Sequence, residues 1–221
     1  MAYRLVYFFT VVVLFLLTTN VSAASAKIGI IVFDGFLTSD VTAPIEVFGA
    51  ASKKSWFSNY EVVVVSATRN KTVKSEEGLT IVAQYSIYDQ LNLDVVIVPS
   101  AYEMEAMINN KDLINFIKQQ GQQASWMASN CSGAFLLAQA GVLNGKKATT
   151  WAGGEKTLAK RYPAIKVQYD QNVVLDKGVV TTNGGPVSYQ GAFVLLGQLS
   201  SEKFSREISE SIQFNRLRNA F

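Results

Sequence analysis

Cys131 is the only cysteine in the chain, and it stands in ASNCSGAF, between an apolar run and a run of helical character. A strand that passes into a helix through Asn-Cys-Ser-Gly has the form of a nucleophile elbow, where a reactive side chain occupies a sharp, often strained turn. At such a turn the free amides and the positive end of the helix dipole favour a thiolate. The amide of Ser132 then faces any negative charge that develops on a bound substrate, and Gly133 leaves room for helix packing and ligand. No histidine occurs anywhere in the sequence. Ser-His-Asp and Cys-His-Asp triads, histidine-ligated metals and an imidazole base are therefore excluded. Carboxylates, hydroxyls and water are left to move protons. Asp40 and Glu46, in GFLTSDVTAPIEVFG after the first apolar run, are carboxylates that reach the site edge in this pattern. A carboxyl beside a thiolate is pushed up by like charge and burial, so it can stay protonated and donate. Against these roles stand ordinary ones: a small buried apolar cysteine, a first-turn acid at Asp40, solvated surface at Glu46, and packing aromatics at Tyr102 and Trp151.

The elements that must position these residues follow from the hydropathy pattern. KIGIIVF (27–33), YEVVVVSA (60–67) and DVVIVPS (94–100) are continuous β-branched runs, as expected of strands buried on both faces. A helix follows the first, with Thr38 or Ser39 as its cap, an apolar face of Val41, Ile45 and Phe48, and Gly49 helping to end it. Residues 71–84 read as a small hairpin around Glu77-Gly78, and 110–121 as a helix. Residues 125–143 pass from strand to helix at Cys131 and end at Gly141. A short strand is expected at 147–150, a helix over 154–161, two or three strands within 165–181, and helices over 187–199 and 202–212. Strands alternating with helices imply a mostly parallel sheet covered on both sides, an α/β three-layer sandwich. In such a sheet ligands lie beyond the carboxyl ends of the strands. Three segments reach that edge: the one carrying Asp40, VPSAYE with Ser100 and Ala101, and ASNCSGAF.

The chain has 221 residues, of which 49% are apolar and 17% charged, with a formal net charge of +3. No basic block appears, so nothing in the sequence offers a footprint for nucleic acid. One cysteine permits no internal disulfide and no cysteine-based metal site, and no Asp-rich calcium loop occurs. Residues 5–17, LVYFFTVVVLFLL, follow Arg4 and precede TTNVSAASA, the order of an export signal with cleavage after Ala23 or Ala26. The stretch is shorter than the roughly 20 apolar residues a bilayer span needs. The reading is a signal over 1–26 and one domain over 27–221 of an exported protein, periplasmic or secreted, that meets a membrane only through that segment if it is uncleaved.

IGIIVFDGFLTSDVTAPIEVFG, DVVIVPS, ASNCSGAFLLAQAGVLNGKKATTW, LAKRYPAIKVQYD and VVTTNGGPVSYQGAFVLLGQL together resemble the ThiJ/PfpI superfamily, in the family's order and over nearly the whole mature chain. The resemblance implies a flavodoxin-like fold similar to class I glutamine amidotransferases. Within the superfamily the likeness is to the branch of isonitrile hydratases and the amidotransferase-like halves of AraC-type regulators, here without a DNA-binding domain. It implies Cys131 as nucleophile, Asp40 as its partner acid, and Ser132 in place of a threonine hydroxyl. It also implies a pocket bounded by Ser100, Ala101, Gly133 and Trp151, a small-molecule substrate, a homodimer, and no cofactor or metal. Two departures stand out. Trp151 occupies the position after Thr-Thr where relatives often have histidine, and Ser100-Ala101 replaces a Gly-Gly loop whose amides help form the oxyanion pocket. The expected function is an isonitrile hydratase-like reaction on a small electrophile. The alternatives are glyoxalase or deglycase work on aldehydes, and a redox-sensing or binding protein on the same scaffold.

Overall fold

The computed structural model describes residues 26–54 and 59–219. Residues 1–25 of the expected signal segment lie outside the described residues, and Ala26 opens the first strand. Among those described, no helix is long and apolar enough to cross a membrane.

The elements in chain order are β1 (Ala26–Val32), α1 (Thr38–Lys54), β2 (Tyr60–Ser66), β3 (Thr72–Lys74), β4 (Thr80–Val82), β5 (Tyr85–Ser86), β6 (Val95–Val98), α2 (Glu105–Ile108) and α3 (Lys111–Gln123). After them come β7 (Trp126–Asn130), α4 (Gly133–Gln139), β8 (Lys147–Ala148), α5 (Glu155–Arg161), β9 (Lys166–Val167), β10 (Val173–Asp176), β11 (Val179–Thr182), α6 (Val187–Leu199) and α7 (Glu202–Ser211). A 3-10 turn over Phe214–Asn219 ends the described chain.

Seven strands form one sheet in the order β10-β11-β7-β6-β1-β2-β5, parallel except for the antiparallel β10–β11 pair. The β-branched runs sit where period and composition place them. Ile28, Ile30, Ile31, Val95, Val96 and Val98 are buried in the middle of the sheet, because both of its faces are covered. Helices α1, α6 and α7 pack together, and α2, α3 and α4 form a second group. The result is the expected α/β sandwich. The hairpin and the three strands within 165–181 also form, as β3–β4 and as β9, β10 and β11.

The chain leaves β1 toward β2 on one side and later returns to β6 on the other, so the order reverses between β1 and β6. At such a point the loops at the carboxyl ends diverge and open a crevice. The loops after β1 and β6 are tied at that point: Phe36 and Ala101 bridge, and the Leu37 amide donates to the Ser100 carbonyl at 2.9 Å.

Two expectations about the first helix need correction. Gly49 does not end α1, which runs on to Lys54. An added Cβ at Gly49 would meet nothing within 4 Å, so the residue is a tolerated interior glycine. The cap of α1 comes from outside the helix. Glu77 Oε2, on the β3–β4 hairpin, accepts from the Thr38 amide at 3.0 Å and from its hydroxyl at 2.5 Å. These bonds hold the Glu77 carboxyl below its ordinary range, so its contribution is present at neutral pH and is lost as pH falls through that lowered value. A lost cap costs about 1 kcal/mol. Glu77→Ala is expected to lower the melting temperature by roughly 2–4 °C at neutral pH, with the difference from the parent closing in acid, as thermal scans at several pH values will measure.

Candidate active site

Asp40 is the third residue of α1 and is fully buried. An isolated buried carboxylate is costly unless donors surround it, and here four do. Oδ2 accepts from the Ser100 amide at 3.0 Å and the Ser100 hydroxyl at 2.5 Å. Oδ1 accepts from the Gly185 amide at 2.9 Å and the Ser188 hydroxyl at 2.8 Å. The donors come from the loop after β6 and from the turn that starts α6. Asp40 is therefore the point at which three separate stretches of chain converge. Burial pushes its carboxyl above the ordinary range, and the four donors act in the opposite direction.

The backbone of the same residue has a second function. Pro44 lies inside α1 and has no N–H, so the Asp40 carbonyl loses its usual partner four residues on. The Asn130 side-chain amide takes that carbonyl at 2.9 Å. Asn130 in turn accepts from the Thr182 hydroxyl at 2.7 Å, whose oxygen accepts the Gly184 amide at 3.0 Å. A proline four residues after Asp40 thus couples the first helix to the residue just before Cys131.

Cys131 joins β7 to α4 with φ at +48°, a region that costs a non-glycine residue about 1 kcal/mol or more unless its surroundings hold it there. They do. Its amide donates to the Thr182 carbonyl at 2.9 Å, and its carbonyl accepts the Thr150 hydroxyl at 2.8 Å. Two glycines make the approach feasible. A Cβ on Gly133 would stand 2.5 Å from the Val98 carbonyl oxygen. A Cβ on Gly184 would stand 2.3 Å from the Cys131 Cβ and 3.1 Å from Asp40 Oδ1, so the carboxyl and the thiol-bearing carbon flank one small space. Cys131 is only partly buried.

The electrostatics of the sulfur reverse the expectation from sequence. Burial pushes the Cys131 thiol up, the charge of Asp40 pushes it further, and the hydroxyls of Ser100 and Ser132 and the Ser132 amide only partly offset them. The short helix α4 and its amides do not prevail against desolvation and a neighbouring carboxylate. Burial and the neighbouring Asp40 thus favour the neutral thiol over the thiolate.

The other residues named from sequence fall as follows. The Ser100 amide and hydroxyl are both committed to Asp40. The Ala101 amide donates to no backbone or side-chain oxygen among the described residues, and the Ser132 amide bears on the Cys131 thiol. The Ser132 hydroxyl pins the turn by donating to the Ala101 carbonyl at 3.0 Å. Trp151 stacks on Phe135 at 5.3 Å and covers Gly154 closely. Tyr102 is 72% exposed, so it is not a packing aromatic. Glu46 is exposed and accepts from the Tyr189 hydroxyl, away from the thiol. Ser188, Gly185 and Asn130 were not singled out from sequence. NGGPVS entered only as part of the family pattern, and the lone signal for Asn130 was its place beside the cysteine. A cavity of about 630 Å³ lies between α6, α7 and the last turn. It shares none of the residues that bond Asp40 or Cys131. Among the described residues no group of three acidic, histidine or cysteine side chains could hold a metal.

The DJ-1/PfpI family model matches residues 26–196. The chain belongs to the DJ-1/PfpI family. It is 28% identical over 174 residues to the isonitrile hydratase of Pseudomonas putida, covering 78% of this chain and 72% of that protein. It is 25% identical over 165 residues to protein/nucleic acid deglycase 2 of Escherichia coli, covering 73% and 90%. The crystal structure of a ThiJ/PfpI family protein from Pseudomonas syringae superposes with a TM-score of 0.77 at 22% identity, over 89% of this chain and 78% of that one. That likeness shows the fold alone.

The four-donor cage has a consequence for a customary substitution. In Asp40→Asn one oxygen becomes an NH₂ that faces a backbone amide unable to reverse. Leaving buried donors opposed costs about 1–3 kcal/mol, and the variant is expected to melt several degrees below the parent. Differential scanning calorimetry checks this, and an unchanged melting temperature would show that the cage does not bind a carboxylate.

Proposed function

We propose that this protein is a cofactor-independent hydratase of the isonitrile hydratase kind, with Cys131 as nucleophile and Asp40 as proton donor. The observation that carries the reading is the buried carboxyl beside a partly exposed thiol in a chain with no histidine. Similarity to the Pseudomonas putida enzyme supports the substrate class.

The reaction adds water to a terminal isonitrile carbon. The sulfur forms a bond to that carbon, whose lone pair takes the proton, and the product is a thioimidate. Water then adds to the same carbon while nitrogen gains a proton. The C–S bond breaks, sulfur recovers the electron pair, and an N-substituted formamide leaves. In this reading the Ala101 and Ser132 amides stabilise the oxygen that becomes negative in the second stage. Asp40 supplies and recovers the proton, because the cage that holds its carboxylate also places it beside the sulfur.

Purified protein is expected to convert small alkyl or aryl isonitriles to formamides, with Cys131→Ala reducing turnover by at least about a thousandfold, the scale of losing a covalent nucleophile. Formamide production is followed by chromatography. Equal turnover by parent and variant would exclude Cys131 as nucleophile. Lactate from methylglyoxal with no formamide would move the reaction to the aldehyde chemistry that the similarity to the deglycase supports.

A further inference from the structure

The lysines of this chain are scattered in sequence, and the fold gathers four of them. β1, β2, β6, β7 and β11 run parallel, so their first residues share one edge of the sheet, and the Cys131 turn stands at the other. Lys177 lies in the turn that leads into β11, at the first of these edges. The Lys147 amide donates to Asp176 Oδ2 beside that turn at 2.8 Å, which fixes the start of β8 there. β9 pairs with β8 in parallel with Lys166 opposite Lys147, and the Lys166 amide donates to the Lys146 carbonyl at 2.9 Å. Lys146, Lys147, Lys166 and Lys177 therefore form one cluster. Lys147, Lys166 and Lys177 are exposed, and Lys146 is half-buried. Burial holds the Lys146 ammonium below its ordinary range; Asp176 opposes that shift and Lys177 adds to it. Among the described residues none of the four ammonium groups takes part in a salt bridge, whereas Lys27, on the same edge, meets Glu61 at 3.3 Å. Facing like charges repel, and here that repulsion is left unanswered.

Two further observations say what answers it. The four lysines line neither of the larger cavities, of about 630 and 440 Å³, so they present their charge outward to a surface rather than inward to a small enclosed anion. The chain also enters the sheet at this edge. β1 opens at Ala26, three strands from β11 in the sheet order, about 14 Å at the usual strand spacing. In sequence only TTNVSAAS stands between Ala26 and the apolar stretch 5–17. Lysine clusters beside an apolar, membrane-directed segment attract anionic lipid headgroups. We propose that this edge docks on an anionic lipid surface through Lys146, Lys147, Lys166 and Lys177, with the Cys131 site facing away from the bilayer. The ammonium groups meet lipid phosphates, and no covalent bond is made or broken. The surface is separate from the Asp40–Cys131 site and does not depend on its chemistry. The sequence shows no basic block because the four lysines come from three segments that only the tertiary fold brings together.

Co-sedimentation of the full chain with lipid vesicles tests the docking edge. Phosphatidylcholine vesicles report binding through the apolar segment alone, and the gain on replacing half of that lipid by phosphatidylglycerol reports the lysines. The parent is expected to bind the mixed vesicles roughly tenfold or more tightly at low salt, with the gain falling as salt is added. The triple variant Lys147→Gln, Lys166→Gln, Lys177→Gln is expected to lose most of the gain. A charge-matched control, Lys74→Gln, Lys111→Gln, Lys118→Gln, on β3 and α3, keeps it. Circular dichroism reports folding of each, and the double variant Lys166→Gln, Lys177→Gln gives the same readout should the triple not fold. A gain that persists in the folded edge variant overturns the proposal, as does an equal loss in the charge-matched control, which would assign the effect to net charge. Retention of duplex DNA at the same salt, with no preference for the anionic vesicles, overturns lipid as the partner.

Discussion

A single carboxylate, taken out of water at the point where three loops meet, sets the geometry of this site. Placing Asp40 in the interior costs several kcal/mol before compensation. The compensation comes from the loop after β6, the turn into α6 and a helix start fixed from a separate hairpin. Each of these must be in place for the charge to be tolerated. The same requirement brings the β6 loop and the Gly184-Gly185 turn against Cys131. The stability of the site and the juxtaposition of Asp40 and Cys131 therefore have one physical origin.

Cys131 is held by similar means. Its positive φ is maintained from both sides, by Thr182 on the neighbouring strand and by Thr150 after β8. Asn130, directly before it, is bonded to the backbone carbonyl that Pro44 leaves free. A helix-breaking residue thus provides an acceptor rather than a defect, and α1 is locked to the strand end that carries the thiol. Trp151, directly after Thr149 and Thr150, is stacked on Phe135, and the sequence holds no histidine.

Much of this was legible in the sequence, for identifiable reasons. The central strands declare themselves because residues buried on both faces leave uninterrupted β-branched runs, as in KIGIIVF and DVVIVPS. The turn at Cys131 is visible because strand, small polar residues and apolar helix follow one another locally. Contacts that depend on distant segments were not legible: Ser188 and Gly185 on Asp40, Glu77 on Thr38, and Asn130 on the carbonyl opposite Pro44. Gly49 reads as a stop because glycine weakens helices, yet packing of α1 against α6 carries the helix past it. The ionisation of Cys131 was misjudged for a quantitative reason. Helix-start amides were weighed without the burial and the neighbouring carboxylate that the tertiary fold adds, and those two effects are larger.

With one cysteine in the chain, the infrared S–H stretching band reports Cys131 alone. A thiol held neutral by burial and by Asp40 predicts a clear S–H band at neutral pH that disappears only above the ordinary thiol range. Absence of the band at neutral pH would mean that the sulfur is already an anion at rest, and would contradict a thiol kept neutral by its surroundings.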